Sequence, residues 1–318
     1  MHRIDGAGAT VDNKFTKGDP AGGVQATVVT GDWLNDVQQE LVSVLNAASI
    51  TPVKGTQNQI LAAIRVLIGK AGHGQCRLSV ASTTSLALKP YNGNNVIVNG
   101  MLLQLPSGGV TYTSSSLAAS TLYYVYLAGT TAAPALSVST TAYATGTNGV
   151  TVKSGDATQT LVGMVYTNAS TQFIDSAAIR TCLNWFNRRK IIAVSAPVGP
   201  FSFTNTALAE TSTTIRAQFL LWADDTVVAQ LSSQLTQTSG TPAATQLGYQ
   251  IFMDGTSNGY GPGLANVIQP SFNAAMSSSG ALGGLSEGYH YSTLGTFGGA
   301  NGGTLSVSNV QNSVNLFG

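Results

Sequence analysis

The sequence predicts a mainly β protein: a short N-terminal helical hairpin followed by two antiparallel β-sandwich or barrel-like domains. Three observations carry this expectation. The clearest helical spacing of apolar residues lies in positions 31–68. Beyond it, β-branched Thr and Val are punctuated by Gly and Ser, a mixture that favours strands over helices. Asn99-Gly100 also stands between Val96-Ile97-Val98 and Met101-Leu102-Leu103. Asn-Gly between apolar runs is a strong hairpin cue, because both residues tolerate positive φ.

Taken in order, residues 1–29 read as an extended arm. Gly6, Gly8, Gly18, Gly22, Gly23 and Pro20 leave little room for a helix, and Phe15 is the one aromatic. So short and glycine-rich a segment is not expected to bury a core of its own, so order would have to come from a partner. Residues 30–74 read as an amphipathic helical hairpin. In the first helix, 31–49, Trp33, Leu34, Val37, Leu41, Val44, Leu45 and Ala48 form one stripe, with Thr30 or Asp32 as the cap. Leu34, Val37, Leu41, Val44 and Ala48 also fit a heptad seam, so this face belongs either to its own domain or to an inter-subunit bundle. The second helix, 56–68, carries Ile60, Leu61, Ile64, Leu67 and Ile68 after a connection holding Pro52 and Gly55.

Residues 75–190 read as a middle β domain, with strands at 96–103, 122–127 and 160–167 and a short closing helix within 175–187. Residues 191–318 read as a distal β-sandwich tip domain. Its strands are expected at 191–194, 215–222, 227–231, 247–253, 288–297 and 304–307, with 277–284 as a connection. No repeat of fixed period is present.

Composition narrows the function. Of 318 residues only 8% are charged, while 43% are hydrophobic. Soluble domains usually carry about 25% charged residues, so this chain is expected to hide surface in an oligomer or larger assembly. Residues 1–190 hold 13 Lys or Arg and 8 Asp or Glu, whereas 191–318 hold one base, Arg216, and five acids. That asymmetry argues against nucleic acid as a partner of the distal region. Arg188-Arg189-Lys190 reads as a solvated linker. Cys76 and Cys182 are too few for a disulfide framework and read as buried free thiols. No apolar run is long enough for a membrane-spanning helix, and the start lacks a secretory core, so release by host lysis is the expected route out of a cell.

Chemistry-bearing patterns are sparse. His2, His73 and His290 fall in three different regions, without zinc-type spacing. A metal shared on a symmetry axis would use His290, but no metal is expected. The carboxylates Glu210, Asp224, Asp225, Asp254 and Glu287 offer no matched dyad, and Asp224-Asp225 reads as a solvated turn. Gly-x-Ser-x-Gly occurs at 255–259 and 284–288, but neither match has the strand–Ser–helix context of a nucleophile elbow, so both read as loops. No phosphate-cradling loop is present. Tyr249, Tyr260, Tyr289 and Tyr291 pair an apolar ring with a hydroxyl, which suits sugars. Tyr289 and Tyr291 would share one strand face and equally suit a core.

The N-terminal elements occur in a recognisable order: His2-Arg3-Ile4-Asp5-Gly6, Phe15-Thr16-Lys17-Gly18-Asp19-Pro20, then Trp33-Leu34-Asn35. Together they resemble the opening of tailed-phage fibre and virion structural proteins over residues 1–68. Pro90-Tyr91-Asn92-Gly93-Asn94, Leu122-Tyr123-Tyr124-Val125-Tyr126, Leu161-Val162-Gly163-Met164-Val165 and Asn184-Trp185-Phe186-Asn187-Arg188-Arg189 resemble a β module of phage fibre-like proteins, with Asn184 where a serine is expected. The resemblance implies a virion protein assembled in the host cytoplasm. It would attach to tail, adaptor or baseplate proteins through His2, Arg3, Asp5, Phe15, Asp19, Trp33 and Leu34, and it would be a homotrimer. It implies no enzymatic activity, no catalytic residue and no cofactor. The distal domain would contact the host surface, with Tyr260, Tyr289 and Tyr291 as candidate contacts to polysaccharide. The alternative is a head fibre, collar or decoration protein with an architectural role.

Overall fold

The structure, a computed structural model, describes all residues except 1, 71, 240–244, 258–262, 268–272, 283, 299–303 and 318. It is mainly β, with several antiparallel sheets and two α-helices among the described residues. The chain divides into two compact units, Met1–His73 and Gly74–Gly318.

In the first unit, helix α1 spans Gly31–Ala47 and α2 spans Gln59–Lys70. Thr30 caps α1, its side chain accepting a hydrogen bond from the Trp33 N–H at 3.4 Å. Helix α2 starts three residues later than its apolar spacing predicts. The Gln59 side chain accounts for the delay: its amide accepts from Val53 N–H at 3.1 Å and donates to the Thr51 carbonyl at 2.9 Å, which holds the connection open as a loop. Leu45, Ala48 and Ala63 are buried together, with Val44, Ile50, Ile60, Val66 and Leu67 packed against them.

Residues 2–29 are not a free extended arm. Val28 N–H donates to Ala7 O at 2.8 Å, Thr27 N–H to Thr16 O at 3.1 Å, and Asp19 and Val24 exchange two bonds at 2.8 and 2.9 Å. The Thr27 hydroxyl donates to Gly8 O at 2.9 Å and accepts from Thr16 N–H at 2.9 Å, tying three passes of the chain together. The glycines permit this. A Cβ on Gly6 would lie 2.2 Å from Val28 O, and one on Gly8, at φ +79°, 2.4 Å from Ala26 O. Main-chain hydrogen bonds thus order a segment too apolar-poor to collapse, and Ile4 is buried beneath it.

In the second unit the Asn99-Gly100 hairpin forms as predicted: Asn95–Val98 pairs with Met101–Gln104, and both turn residues have positive φ, 50° and 71°. Cys76–Ser82, Ser85–Pro90 and Val110–Thr113 make a three-stranded sheet. The middle sheet runs in the order Ala133–Ser139, Leu122–Thr130, Asp156–Tyr166, Thr151–Lys153, Tyr143–Thr145, with Cys182–Asn184 also on Asp156–Tyr166. The helix expected within 175–187 does not form. Val165, Met164 and Gly163 pair with Cys182, Leu183 and Asn184, and that pairing overrides a weak helical spacing. Ile179–Arg180 instead joins Ala217–Leu221 in a parallel pair.

Two sheets make up the distal region. One carries Ala217–Leu221, Gly288–Gly298 and Thr245–Met253; the other carries Ile191–Val194, Thr304–Phe317, Thr226–Ser239 and Asn273–Leu282. Inward residues of both, among them Phe219, Ile251, Leu294, Leu231, Val307 and Val314, form one hydrophobic cluster. Asn273–Leu282 overlaps the stretch expected as a connection. It pairs with Thr226–Ser239 at ten positions, and among its described side chains Met276 and Ser278 are the buried ones, so small polar residues hid a strand.

The middle and distal regions share a core rather than meeting at a linker. Tyr124, Tyr126, Leu161, Met164 and Leu183 cluster with Leu220 and Trp222. Trp222, 1% exposed, donates its indole N–H to Asn184 O at 3.1 Å and stands edge-on to Trp185 at 5.0 Å. Glu287 accepts from the Tyr124 and Tyr143 hydroxyls, each at 2.7 Å. Burial, reinforced by the Glu287 carboxylate, pushes both phenols above the ordinary tyrosine range, so they remain donors. Arg188 is no solvated linker residue: its guanidinium lies 4.7 Å from the Trp185 ring and 2.6 Å from Asp224. Replacing Trp222 by Ala should cost about 3–5 kcal/mol. Probes placed in the middle and distal sheets should shift their urea midpoints together; independent midpoints would mean two separate cores.

Candidate functional site

Two contacts join parts of the N-terminal resemblance to the start of α1. His2 Nδ1 lies 2.6 Å from Asp36 Oδ2, and its Nε2 3.5 Å from Asp5 Oδ1. The hydrogen bond to Asp36 raises the His2 pKa, and the same bond lowers that of Asp36. Phe15 stands edge-on to Trp33 at 5.1 Å. His2 with Asp5, and Phe15 with Trp33, thus form two separate contacts at the first turns of α1, with Leu34 exposed on the next position of the helix. Arg3 is exposed. Asp19 does different work, closing the 19–24 turn through the Ala21 N–H at 3.1 Å.

The helix pair leaves an apolar surface uncovered. The expected heptad seam of α1 is split: Val44 and Ala48 turn to α2, while Leu34 and Leu41 face solvent. On α2, Leu61, Ile64 and Ile68 recur at three- and four-residue spacing and are 50%, 44% and 66% exposed.

In the distal region Tyr289 and Tyr291 share one face of Gly288–Gly298, as predicted, with His290 buried on the other. Tyr289 stacks on Tyr166 at 4.2 Å, and its hydroxyl donates to Gln218 Oε1 at 2.7 Å, so most of it is committed to packing. Tyr291 lies 3.9 Å beneath the Arg216 guanidinium, which binds Glu210 through two bonds of 2.7 Å. That bidentate pair has no local sequence signature, since its members are not neighbours on a helix. Tyr260 lies outside the described residues. Tyr249 donates to Ser277 O at 3.2 Å.

One arrangement brings a serine motif to a histidine and an aspartate. His290 Nδ1 faces Asp254 Oδ2 at 2.7 Å, and Nε2 faces Ser286 at 2.7 Å. The Ser286 atom is its backbone carbonyl, not its hydroxyl. Both ring nitrogens therefore meet acceptors, which only the imidazolium can satisfy, and no nitrogen is left to accept a proton from a serine. Burial opposes the charge, but the bonds to Asp254 and Ser286 outweigh it, and the His290 pKa is raised. Among the described residues, no three His, Cys, Asp or Glu side chains gather as a metal site would require, and no helix is long and apolar enough to cross a membrane. Cys76 and Cys182 are free thiols buried in one core cluster, and burial pushes Cys76 up to about 12.

No family model matches the chain. Among curated proteins it is similar to the uncharacterized protein StfP of Escherichia coli K12, 39% identical over 74 residues, 21% of this chain and 35% of that protein. The chain therefore spans about a third of that relative's length. Among solved structures it overlaps that of the infectious bursal disease virus Gx strain with a TM-score of 0.30 and 13% identity, covering 76% of this chain and 65% of that one. The Gt strain of the same virus gives a TM-score of 0.29 and 12% identity, over 76% and 70%. Similarity of this degree does not establish a common fold.

Two outcomes are expected. Because the folded pKa of His290 is raised above the ordinary 6.5, its contribution to stability is fully present below that value and is lost as pH rises through the folded pKa. His290→Gln should flatten this part of a melting-temperature profile. Separately, Gly8→Val should unravel the 2–29 layer and make it a faster target for limited proteolysis, with the melting of the β unit unchanged.

Proposed function

We propose that this chain is a structural protein of a bacteriophage-type particle, docked through its N-terminal region and trimeric in the assembled state. The observation that carries the reading is the N-terminal surface. The residues resembling the phage attachment region, His2, Asp5, Phe15 and Trp33, converge on the first turns of α1. Beside them, the Leu34–Leu41 and Leu61–Ile64–Ile68 stripes offer apolar area with heptad spacing. Burying such stripes among three copies would remove them from water and answer the low charge of the chain.

The β-rich remainder supports a fibre-like or shell-like role, with the distal region as a two-layer β domain that contacts the host surface. Tyr291, under Arg216, is the half-exposed aromatic best placed for a sugar. The reading is non-enzymatic, supported by the Ser286 carbonyl occupying His290 Nε2. An architectural head fibre, collar or decoration protein shares the same N-terminal logic.

The mass in solution tests the trimer: three times the 32.6 kDa chain is expected. Leu41→Ser together with Ile64→Ser should return a folded monomer; a wild-type monomer would sink the trimer. Deleting residues 1–29 should abolish incorporation into particles, and normal incorporation would remove the anchor. Labelling of the capsid rather than the tail would select the architectural alternative.

A further inference from the structure

A cavity of about 110 Å³ lies within the Gly74–Gly318 unit, beside the strand Cys76–Ser82 and the turn that follows Trp222. Arg77, Arg180, Arg188 and Arg189 line it, against the carboxylates of Asp175 and Asp225. Two of the cations are neutralised: Arg180 pairs with Asp175 at 3.6 Å, and Arg188 with Asp224 at 2.6 Å and Asp225 at 3.5 Å. Arg77 and Arg189 have no ion pair within 4 Å among the described residues, although Arg189 adds to the field that Arg180 exerts on Asp175. Arg77 lies flat against the Tyr91 ring at 3.7 Å, a contact that holds its position without cancelling its charge.

A second observation concerns satisfaction. Among the described residues three buried side-chain polar atoms lack a hydrogen-bond partner, and two of them, Arg77 Nε and Asp225 Oδ1, belong to residues lining this cavity. The Asp225 side chain is only 5% exposed; its Oδ2 is held by the Trp222 N–H at 3.1 Å, and its Oδ1 meets Arg188 Nη1 only as a 3.5 Å ion pair, without a hydrogen bond. Buried polar groups are nearly always hydrogen-bonded, so a donor without an acceptor and a carboxylate oxygen without a donor in bonding geometry, on residues of one cavity, are what a ligand bearing both kinds of group would complete. The walls are fixed in advance. The Asn184 amide donates to Leu78 O at 3.0 Å, and the Asn187 amide donates to Gly74 O at 2.8 Å and Cys76 O at 3.0 Å.

We infer that this cavity is a binding site for an oxyanion carried on a hydroxylated ligand, an acidic sugar or a sugar phosphate. Arg77 and Arg189 take the carboxylate or phosphate through their guanidinium N–H groups, whose forked geometry suits either. Asp225 accepts from a hydroxyl of the same ligand, and the Trp222 indole supplies an apolar wall. The site stands independently of how the chain attaches to a particle.

The test is a melting-temperature titration of the full chain with glucuronate and with glycerol 3-phosphate, using sodium chloride at equal ionic strength and glucose as controls. A saturable rise of about 3–6 °C at tenfold excess over the Kd is expected for at least one anion, and neither control should produce it. The larger of the two responses identifies carboxylate or phosphate. Arg189 is exposed, so Arg189→Gln should fold normally and weaken binding about tenfold or more. Asp225→Asn should weaken glycerol 3-phosphate relative to inorganic phosphate. No saturable rise with either anion, or the same rise in Arg189→Gln, would overturn the proposal and leave the arginines as a purely structural network.

Discussion

The β unit depends on the burial of Trp222 and on what that indole requires of its surroundings. A large aromatic side chain withdrawn from water contributes strongly to a core, but its N–H must still find an acceptor. Here the acceptor is the Asn184 carbonyl, on a strand of the middle sheet. The same asparagine's side chain holds Leu78, so one short segment links three sheets. Glu287 completes the junction by accepting from two tyrosines of the middle sheet. Its carboxylate is stabilised by strong hydrogen bonds rather than by a counter-ion, which suits a protein with few charges to spare. Arg188 closes the assembly over the two indoles.

Where charges are used, they are used inside small networks. Arg216 and Glu210 form a bidentate pair beside Tyr291. His290 and Asp254 form a second pair, in which the backbone carbonyl of Ser286 fixes the other ring nitrogen. That carbonyl, not the Ser286 hydroxyl, is the atom that meets Nε2. The same types of residue stand together as in a serine hydrolase, but the atom presented is an acceptor that cannot give up a proton. The cavity lined by Arg77 and Asp225 differs from these networks, because Arg77 Nε and Asp225 Oδ1 lack a hydrogen-bond partner among the described residues.

The N-terminal unit follows a different economy. Its helices bury few large side chains among the described residues, and residues 2–29 are ordered by main-chain hydrogen bonds and close glycine contacts. The apolar residues left outside, Leu34, Leu41, Leu61, Ile64 and Ile68, are more than a unit of this size needs to expose. Surface of this kind is expected where a chain works as part of an assembly.

The sequence by itself determined the mainly β character, the presence of both helices, the Asn99-Gly100 hairpin and most apolar strands, because periodicity and turn chemistry are local properties. It also determined that Tyr289 and Tyr291 share a face, since alternation along a strand is built into the backbone. Tertiary structure decided the rest. The strand Asn273–Leu282 is Ser- and Ala-rich and becomes a strand only beside Thr226–Ser239. Cys182–Asn184 is a strand because Asp156–Tyr166 offers it an edge. Asp225, adjacent to the solvated Asp224, is buried because the turn after Trp222 carries it inward. Asp254 lies 36 positions from His290, Tyr124 163 from Glu287, and Asp224 36 from Arg188. No local pattern encodes such pairings. They arise when sheets far apart in sequence must share one core, and each buried polar group must then find its partner among whatever that packing brings within reach.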